Sequence, residues 1–369
     1  MIVGICAPYD LGQAGGVNSH IRAQARALAQ RGHKVCVFGA ASRPVGPGEL
    51  AVSGCLSFVI RGTETPIGYD LRAWRRVGRL LRSRRFDILH IHEPFMPIVP
   101  LFALLRAEVP IVATFHVHRE DGHPFYPWFQ PILSPLMRRI AVRIAVSEAA
   151  RRTVAEHFPG DYQIVPNGID CGAFQAPRPR PEAFIAGRRH VLVVGRLEPR
   201  KGIEHLIRAM ARGGRVARDA RLVVVGDGPE RAPLEALARA EGADVVFGGR
   251  VSDDDLPAWY QASDIVCSPA VGDESFGIVL LEAMACARPI VASRIDGYSA
   301  LVDGTGCARL VTPGDSAALA GALSELLDNP EARRTLGARG RQAAQGYDWS
   351  TIAERLERIY RSLTAAAPR

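Results

Sequence analysis

Short β-branched runs alternate with longer helix-forming stretches along the whole chain, and this alternation restricts the fold more than any other feature. The first half contains the runs IVGIC, KVCVF, DILHIH, PIVATF, RIAVS and YQIVP, and the second half contains HVLVVG, RLVVVG, DVVFGG, DIVCSP, PIVAS and ARLV. Strands that alternate with helices form parallel sheets covered by helices on both faces. Because the pattern occurs twice, we predict an α/β fold with two Rossmann-like domains.

The chain of 369 residues is long enough for two domains of ordinary size. Three prolines in the stretch QAPRPRPEAF separate the two halves, as in an interdomain linker. We predict an N-terminal domain over residues 1–169 and a C-terminal domain over residues 170–345. Residues 346–369 are predicted to form a helix that packs back on the N-terminal domain. Its apolar residues recur at helical spacing: Ile352, Leu356, Ile359 and Leu363.

Cysteine content, apolar segments and net charge limit the compartment and the partners that the protein is expected to have. Seven cysteines without a C-x-x-C pair indicate a reduced compartment. The N-terminal MIVGICAPYD resembles a first strand more than a secretion signal, so we expect a cytoplasmic protein. The most apolar stretch contains Arg106, Glu108 and three prolines, and no transmembrane helix is predicted. The net charge of +8 is compatible with phosphorylated substrates, an anionic membrane or nucleic acid.

A pair of glycines follows the first predicted strand and opens a helix. Gly15 and Gly16 would let the backbone approach a phosphate at the helix N-terminus. An ordinary strand-to-helix turn explains the glycines equally well. The spacing is not G-x-G-x-x-G, and the second strand lacks the acid that binds an NAD ribose, which disfavours a dinucleotide dehydrogenase.

Two cations stand at the start of the second half, in the stretch VVGRLEPRKG. Arg196 follows a strand and Lys201 precedes a helix, so the two are candidates for a diphosphate clamp. The alternative is a solvated basic loop, which is common on protein surfaces.

Two carboxylates lie eight positions apart in the apolar stretch GDESFGIVLLEAMACARPI, at Glu274 and Glu282. We predict that Ser275 caps a helix whose first-turn amides face a phosphate. Glu274 would then accept hydrogen bonds from sugar hydroxyls, and Glu282 would meet a ribose diol because a buried carboxylate needs a partner. The predicted first-turn amides belong to Phe276, Gly277 and Ile278.

These motifs together resemble one enzyme family. The segments GGVNSH, VPNGID, GRLEPRKG and SFGIVLLE are similar to those of the retaining glycosyltransferases of family 4, whose GT-B fold has two Rossmann-like domains facing across a cleft. The segments HIHEP, PIVATFH and ESFGIVLLEAMA are most similar to the phosphatidyl-myo-inositol mannosyltransferases. The resemblance implies transfer of mannose from GDP-mannose to a membrane lipid such as phosphatidylinositol, without a metal or another cofactor.

The resemblance also implies roles for particular residues. Arg196 and Lys201 would hold the donor diphosphate and stabilise the departing nucleoside diphosphate, with Gly15 and Gly16 beside it. Glu274 would contact the transferred hexose. The resemblance places His116 near the reacting carbon, Tyr9 and Asn18 at the acceptor, and Glu282 at the ribose. The other donor-binding residues that it assigns are Val251, Asp253, Ser275, Phe276, Gly277 and Ile278.

Three departures from the mannosyltransferase pattern leave alternatives open. Leu256 stands where these enzymes carry a lysine near guanine, and Asp273 stands where they carry a glycine near the hexose. After His116 the chain continues VHREDGHPFYPWF, which is bulky and charged where small hydroxyl residues are expected. A UDP-hexose donor, with another lipid or a soluble glycan as acceptor, therefore remains an alternative.

A basic amphipathic helix is predicted in the stretch DLRAWRRVGRLLRSRRFD. One face would carry Arg72, Arg75, Arg76, Arg79 and Arg82. The other would carry Ala73, Trp74, Val77, Leu80 and Leu81. With a lipid acceptor, these arginines are expected to dock on anionic phospholipid at the inner face of the cell membrane. The alternative is a solvated face on a helix that simply covers its own sheet.

Three other interpretations are disfavoured. The histidines of HIHEP and HVHREDGH match no common zinc spacing, so no metal site is predicted. A nucleotide-sugar epimerase can share the two-domain fold but would need acid and base carboxylates in place of an acceptor surface. Specific nucleic-acid binding is not expected, because no stacking aromatics are interleaved with the arginines.

Overall fold

The computed structural model describes residues 1–13, 15–60, 63–214 and 220–365, without the side chains of 57–60 and 63–67. The chain forms two compact units. One comprises Met1–Gly168 together with Trp349–Arg369, and the other comprises Ile169–Asp348. These boundaries lie within a few residues of the predicted ones.

The first unit is built on a seven-stranded parallel sheet, in the order β3-β2-β1-β6-β7-β8-β9. A separate antiparallel hairpin is formed by β4 and β5. The strands are β1 Ile2–Cys6, β2 Lys34–Ala40, β3 Glu49–Ser53, β4 Cys55–Ile60, β5 Thr63–Gly68, β6 Ile88–His92, β7 Ile111–Phe115, β8 Ile140–Ala145 and β9 Gln163–Ile164. The helices between them are α1 Gly16–Gln30, α2 Ala73–Arg84, α3 Val99–Arg106, α4 Tyr126–Met137 and α5 Glu148–Ala155.

The second unit is built on a six-stranded parallel sheet, in the order β12-β11-β10-β13-β14-β15. Its strands are β10 Arg189–Val194, β11 Ala220–Val225, β12 Val245–Gly249, β13 Ile265–Ser268, β14 Ile290–Ser293 and β15 Ala308–Val311. Its helices are α6 Cys171–Gln175, α7 Ile203–Arg212, α8 Arg231–Glu241, α9 Leu256–Ala262, α10 Ile278–Ala285, α11 Asp296–Val302, α12 Ser316–Asp328 and α13 Pro330–Ala344. Short 3₁₀ turns occupy Pro199–Lys201 and Gln345–Tyr347.

The last helix, α14 Trp349–Ala365, belongs to the first unit. Ile352, Leu356 and Ile359 are buried in one apolar cluster with residues of α1. The Tyr360 hydroxyl lies 2.5 Å from Nδ1 of His90 in β6, which ties the helix to the sheet. The opposite face of the sheet is covered by α2, α3 and α4, which contribute to a second cluster.

Each predicted strand is present within a few residues of its predicted position. The run RIAVS corresponds to β8, which begins and ends earlier in the chain. The parallel α/β architecture is therefore confirmed. The sequence analysis missed β3, β4 and β5, which precede the basic helix.

All seven cysteines are free thiols, six of them buried. Among the helices that the structure describes, none is both long and apolar enough to cross a bilayer.

In a parallel sheet the carboxyl ends of all strands meet at one edge, where loops can gather functional side chains. In the first unit β1, β6 and β7 are neighbours, and in the second β10 and β13 are neighbours. Five predicted site residues follow these strands: Tyr9, His116, Arg196, Lys201 and Glu274.

Candidate active site

A buried carboxylate in the second unit is held by two cations. Glu274, in the loop after β13, has a side chain that is only 11% exposed. Its Oε1 atom lies 2.5 Å from Nη1 of Arg200 and 2.5 Å from Nζ of Lys201. Both cations come from the turn after β10, so the neighbouring strands β10 and β13 bring the pair together. Lys201 was predicted as a donor ligand, whereas Arg200 was missed.

A second carboxylate extends this charge cluster. Glu198 is buried, and its oxygens lie 3.2 Å from Nε of Arg196 and 3.0 Å from Nε of Arg200. Cations and carboxylates thus alternate through Arg196, Glu198, Arg200, Glu274 and Lys201. Three cations face two carboxylates, so the cluster keeps a net positive charge at the strand ends.

The electrostatics keep this cluster ionised. Burial of Glu274 opposes its ionisation, but the charges of Lys201 and Arg200 outweigh it and hold its pKa below the usual value. Burial also acts against the Arg200 charge, and Glu274 and Glu198 reverse that effect, so the pKa of Arg200 is raised. The pairing of Glu274 with Arg200 therefore favours the charged form of both side chains.

Unusual backbone conformations position the cluster. Gly202 follows Lys201 with a φ of 62°, and a Cβ atom there would lie 2.2 Å from the Pro269 carbonyl oxygen. Only glycine fits at that position. Asp273 also has a positive φ, 56°, and its carbonyl accepts a hydrogen bond of 3.3 Å from Arg200. The aspartate that departs from the family pattern thus keeps the left-handed conformation that a glycine would adopt.

The helix after Glu274 begins later than predicted. α10 starts at Ile278, and its cap is Gly277, in the left-handed region at a φ of 83°. The predicted capping role of Ser275 is therefore wrong, and Phe276 and Gly277 lie before the helix. A Cβ atom at Gly277 would lie 2.7 Å from the Tyr298 ring, so glycine is required by the packing as well.

Glu282 lies on α10 in a half-buried position. Its Oε2 accepts a hydrogen bond of 2.6 Å from the Tyr260 hydroxyl. Burial raises the pKa of Glu282 to about 7, the Tyr260 bond opposes the shift, and the charge of Asp253 adds to it. Val251, Asp253 and Leu256 lie between β12 and the first residue of α9. The structure shows Tyr260 as the hydrogen-bond partner of Glu282, which sequence reasoning missed.

In the first unit, Glu93 organises the ends of β6 and β7. Its Oε1 accepts hydrogen bonds from the backbone amides of His116, at 2.5 Å, and Val117, at 3.0 Å. Burial raises the pKa of Glu93 to about 7. Burial also raises the pKa of Tyr9, and the charge of Glu93 adds to this shift. Glu93 is therefore a neighbour both of Tyr9, predicted at the acceptor, and of His116, predicted at the hexose. Glu93 was not among the predicted site residues.

A cluster of buried histidines surrounds His116. His92 Nδ1 lies 2.8 Å from His116 Nε2, and the ring of His20 packs edge-on against both. His90 stacks on His92, with ring centroids 4.6 Å apart. Burial lowers the pKa of His116 well below its usual value, and His20 and His90 add to the effect. The ring is therefore neutral at pH 7.

The ligand atoms of His20, His92 and His116 lie within 4.8 Å of one another, a spacing at which three imidazoles can bind a metal. The direct hydrogen bond between His92 and His116 satisfies one nitrogen of each ring without an ion. Sequence spacing did not reveal this group, because His20 comes from α1, His92 ends β6 and His116 follows the neighbouring strand β7.

The glycine turn precedes α1. Gly15 is the cap residue, and a Cβ atom at Gly15 or Gly16 would meet nothing within 4 Å. The glycines thus leave open space in front of the helix N-terminus. Asn18 donates hydrogen bonds to the carbonyls of Asp10, at 2.7 Å, and Gln13, at 3.1 Å. Its buried Oδ1 has no hydrogen-bond partner within the described part of the chain.

The basic helix is α2. It buries Ala73, Val77 and Leu80, as predicted, whereas Trp74 is partly exposed. Arg76 pairs with Asp70 at 3.1 Å. The arginines of the outer face are exposed: Arg72, Arg75, Arg76, Arg79 and Arg82.

Comparisons with known proteins identify the family. The family model described as Glycosyltransferase Family 4 matches residues 14–172, and that described as Glycosyl transferases group 1 matches residues 177–343. A phosphatidyl-myo-inositol mannosyltransferase of Mycobacterium leprae is 36% identical to this chain, over 99% of this chain and 98% of its own length. The chain belongs to the family 4 glycosyltransferases.

Solved structures share the architecture of this glycosyltransferase. Sucrose-phosphate synthase of Thermosynechococcus elongatus has a TM-score of 0.75 and 24% identity, over 99% of each chain. Anabaena HepE in complex with UDP has a TM-score of 0.77 and 21% identity, over 98% of this chain and 100% of that chain. These similarities concern the fold, which is GT-B, as the resemblance implied.

We expect Arg200→Met to lower the free energy of unfolding by about 1–3 kcal/mol, because it leaves two buried carboxylates with one cation each. Arg208→Met is the matched control, since its ion pair with Glu204 is exposed and should contribute less than about 1 kcal/mol. Guanidinium unfolding measures both variants. Equal effects would show that the cluster does not stabilise the domain.

Glu282→Gln should make stability less dependent on pH. The folded state keeps the Glu282 proton up to its pKa of about 7, whereas the unfolded chain releases it near the ordinary 4.5. Wild-type stability therefore falls as the pH rises from about 4.5 through 7. We expect the variant to exceed the wild type by roughly 1–2 kcal/mol at pH 8 and by little at pH 4.5. Exposed Glu325→Gln is the control, and a pH-independent difference for Glu282→Gln would contradict this account.

Proposed function

We propose that this glycosyltransferase moves mannose from GDP-mannose to phosphatidylinositol at a membrane surface, with retention of configuration. The observation that carries the proposal is the similarity, over nearly the full length of both chains, to a relative named phosphatidyl-myo-inositol mannosyltransferase. The site geometry supplies the chemical groups that such a reaction requires.

The charge cluster is suited to a departing nucleoside diphosphate. Cleavage of a glycosyl phosphate bond builds negative charge on the leaving phosphate, and preorganised cations stabilise it most effectively where water is scarce. In this proposal Lys201 and the half-exposed Arg196 bind the diphosphate, and Arg200 holds Glu274 and Glu198 in place. Within the first unit, the absence of a side chain at Gly16 would let a phosphate approach the N-terminus of α1.

The proposed route to retention is attack by the acceptor hydroxyl on the same face of the sugar from which the phosphate departs. A double displacement would need a nucleophilic carboxylate beside the anomeric carbon. Glu274 is poorly suited to that role because two cations bind its Oε1 atom. The departing phosphate then takes the acceptor proton, and the neutral His116 ring accepts or donates a hydrogen bond at the hexose. Tyr9 and Asn18 belong to the acceptor side.

The membrane part of the proposal depends on α2. Its outer face carries five exposed arginines, and each cation near an anionic lipid surface contributes about 1 kcal/mol at low salt. We therefore propose peripheral association with the inner face of the cell membrane, where a phospholipid acceptor is within reach.

A UDP-hexose donor is the second candidate. Leu256 is the first residue of α9 and offers no polar group to a guanine, and Asp273 adds a carboxylate near Glu274. Either departure would fit a different base or sugar.

Thermal stabilisation by GDP and UDP, measured separately, tests the donor. A ligand that binds only the folded state raises apparent stability by RT ln(1 + c/Kd), where c is the free ligand concentration, so GDP should raise the melting temperature more than UDP at equal concentration. Lys201→Met should remove most of the GDP effect, and Lys34→Met, on an exposed strand end, should leave it intact. A larger shift with UDP would favour the second candidate. If neither nucleotide changes the melting temperature, the assigned donor site is wrong.

A further inference from the structure

Helix α4 is apolar on both faces. Tyr126 and Met137 are buried against the sheet. From Tyr126 to Met137 the sequence is YPWFQPILSPLM, which contains no charged residue. A helix that is apolar all round is normally buried on all sides or embedded in lipid, and α4 is not buried on all sides.

The outward face of α4 presents a stripe of large apolar side chains. Phe125, at the N-cap position, is 47% exposed, Trp128 is 82% exposed, Phe129 is 48% exposed and Ile132 is 68% exposed. Their spacing of three, four and seven positions places them along one side of the helix. Single exposed apolar residues are ordinary, but a contiguous patch marks an interaction surface.

This stripe, Phe125, Trp128, Phe129 and Ile132, lies in the same helical layer as α2. Both helices bury residues in the same core cluster. Between them is α3, whose Arg106 lies 4.6 Å above the ring of Trp74 in α2. At the other side Arg139, just after α4, donates hydrogen bonds to the α3 carbonyl of Leu104 and to that of Ala107. The apolar stripe and the basic surface of α2 therefore lie on the same side of the sheet, with α3 between them.

We propose that the α4 stripe inserts into the boundary between headgroups and acyl chains of an anionic bilayer. Tryptophan and phenylalanine favour this boundary, and exposed Arg138 immediately after α4 can reach the headgroups. The 12 residues of α4 are too few to cross a bilayer, so the helix lies in the membrane surface. Charge favours a membrane over a second copy of this chain, because a second copy would bring an equally basic α2 to the same surface.

The inference rests on the proposed function and extends it. The loop after His116 leads into α4, whose first residue, Tyr126, interacts electrostatically with Glu93 and Tyr9, so the N-terminal end of the stripe lies near the carboxyl edge of the sheet. In this arrangement α2 attracts the enzyme to anionic lipid. The inserted α4 then fixes the depth and orientation at which the carboxyl edge of the sheet, with Tyr9 and His116, contacts the headgroups.

The fluorescence of Trp128 can report directly whether the stripe contacts lipid. The full-length enzyme is mixed with vesicles of phosphatidylglycerol and phosphatidylcholine that carry bromine on the upper acyl carbons, which quenches tryptophan fluorescence on contact. We expect quenching and a blue shift for the wild type. The quenched component should be lost in Trp128→Phe and retained in Trp259→Phe, whose substitution lies in the donor domain.

Affinity is the second readout. Trp128→Ser combined with Phe129→Ser and Ile132→Ser should weaken sedimentation with vesicles at 0.5 M salt by about tenfold or more, which corresponds to about 1.4 kcal/mol. Salt at this concentration screens the arginines and isolates the apolar contribution. A matched variant of α2, Arg75→Ser with Arg79→Ser and Arg82→Ser, should weaken binding mainly at low salt. Unchanged stabilisation by GDP would show that each variant is folded.

The outcomes separate the inference from the proposed function. Vesicle binding without quenching of Trp128 would overturn the α4 inference and leave α2 as the docking surface. A dimer that the α4 variant converts to a monomer, with vesicle binding unaltered, would make the stripe a self-association surface and also overturn it. Transfer to water-dispersed short-chain phosphatidylinositol does not require docking. If that transfer persists while the wild-type enzyme binds none of the vesicles, the membrane inference fails and the transferase proposal stands.

Discussion

The ion pairs of Glu274 with Arg200 and Lys201 are the interaction on which the candidate donor site depends. A carboxylate that is almost removed from water is strongly destabilising unless cations meet it. The fold meets this requirement by placing the turn after β10 next to the loop after β13. Gly202 and Asp273, both at positive φ, allow the two segments to come close enough. The ion pairs therefore fix the loop conformations, and in the proposed function they position Lys201 and Arg196 for the donor diphosphate.

The histidines around His116 in the first unit are also buried, but they carry no charge. His116 and its neighbours are buried imidazoles, and burial keeps them neutral. Glu93 holds the backbone at His116 through two amide hydrogen bonds, so the ring projects from a fixed position at the strand end. A neutral donor or acceptor in a rigid position suits contact with sugar hydroxyls. The two units thus differ in chemistry: the second holds a cluster of cations and carboxylates, and the first holds neutral imidazoles.

Local sequence patterns predicted the sheets well, because each central strand is a short apolar run bounded by loops. They missed β3, β4 and β5; in β5, threonine, proline and glycine interrupt the apolar pattern. Individual side chains such as Lys201, Glu274 and Glu282 were identified from motifs. Their partners were not, because Arg200 meets Glu274, and Tyr260 meets Glu282, only after strands and helices far apart in sequence have packed together. The cap at Gly277 was missed because Ser275 satisfies the usual capping preference but lies outside the helix.

The most direct test of the central claim follows radiolabelled mannose from GDP-mannose into lipid. The enzyme is incubated with the labelled donor and phosphatidylinositol vesicles, and the chloroform-soluble label is measured and its headgroup analysed. The account predicts label in a phosphatidylinositol mannoside, with no such product when phosphatidylglycerol replaces phosphatidylinositol or when UDP-glucose replaces GDP-mannose. Free mannose alone, or efficient transfer from UDP-glucose, would contradict it.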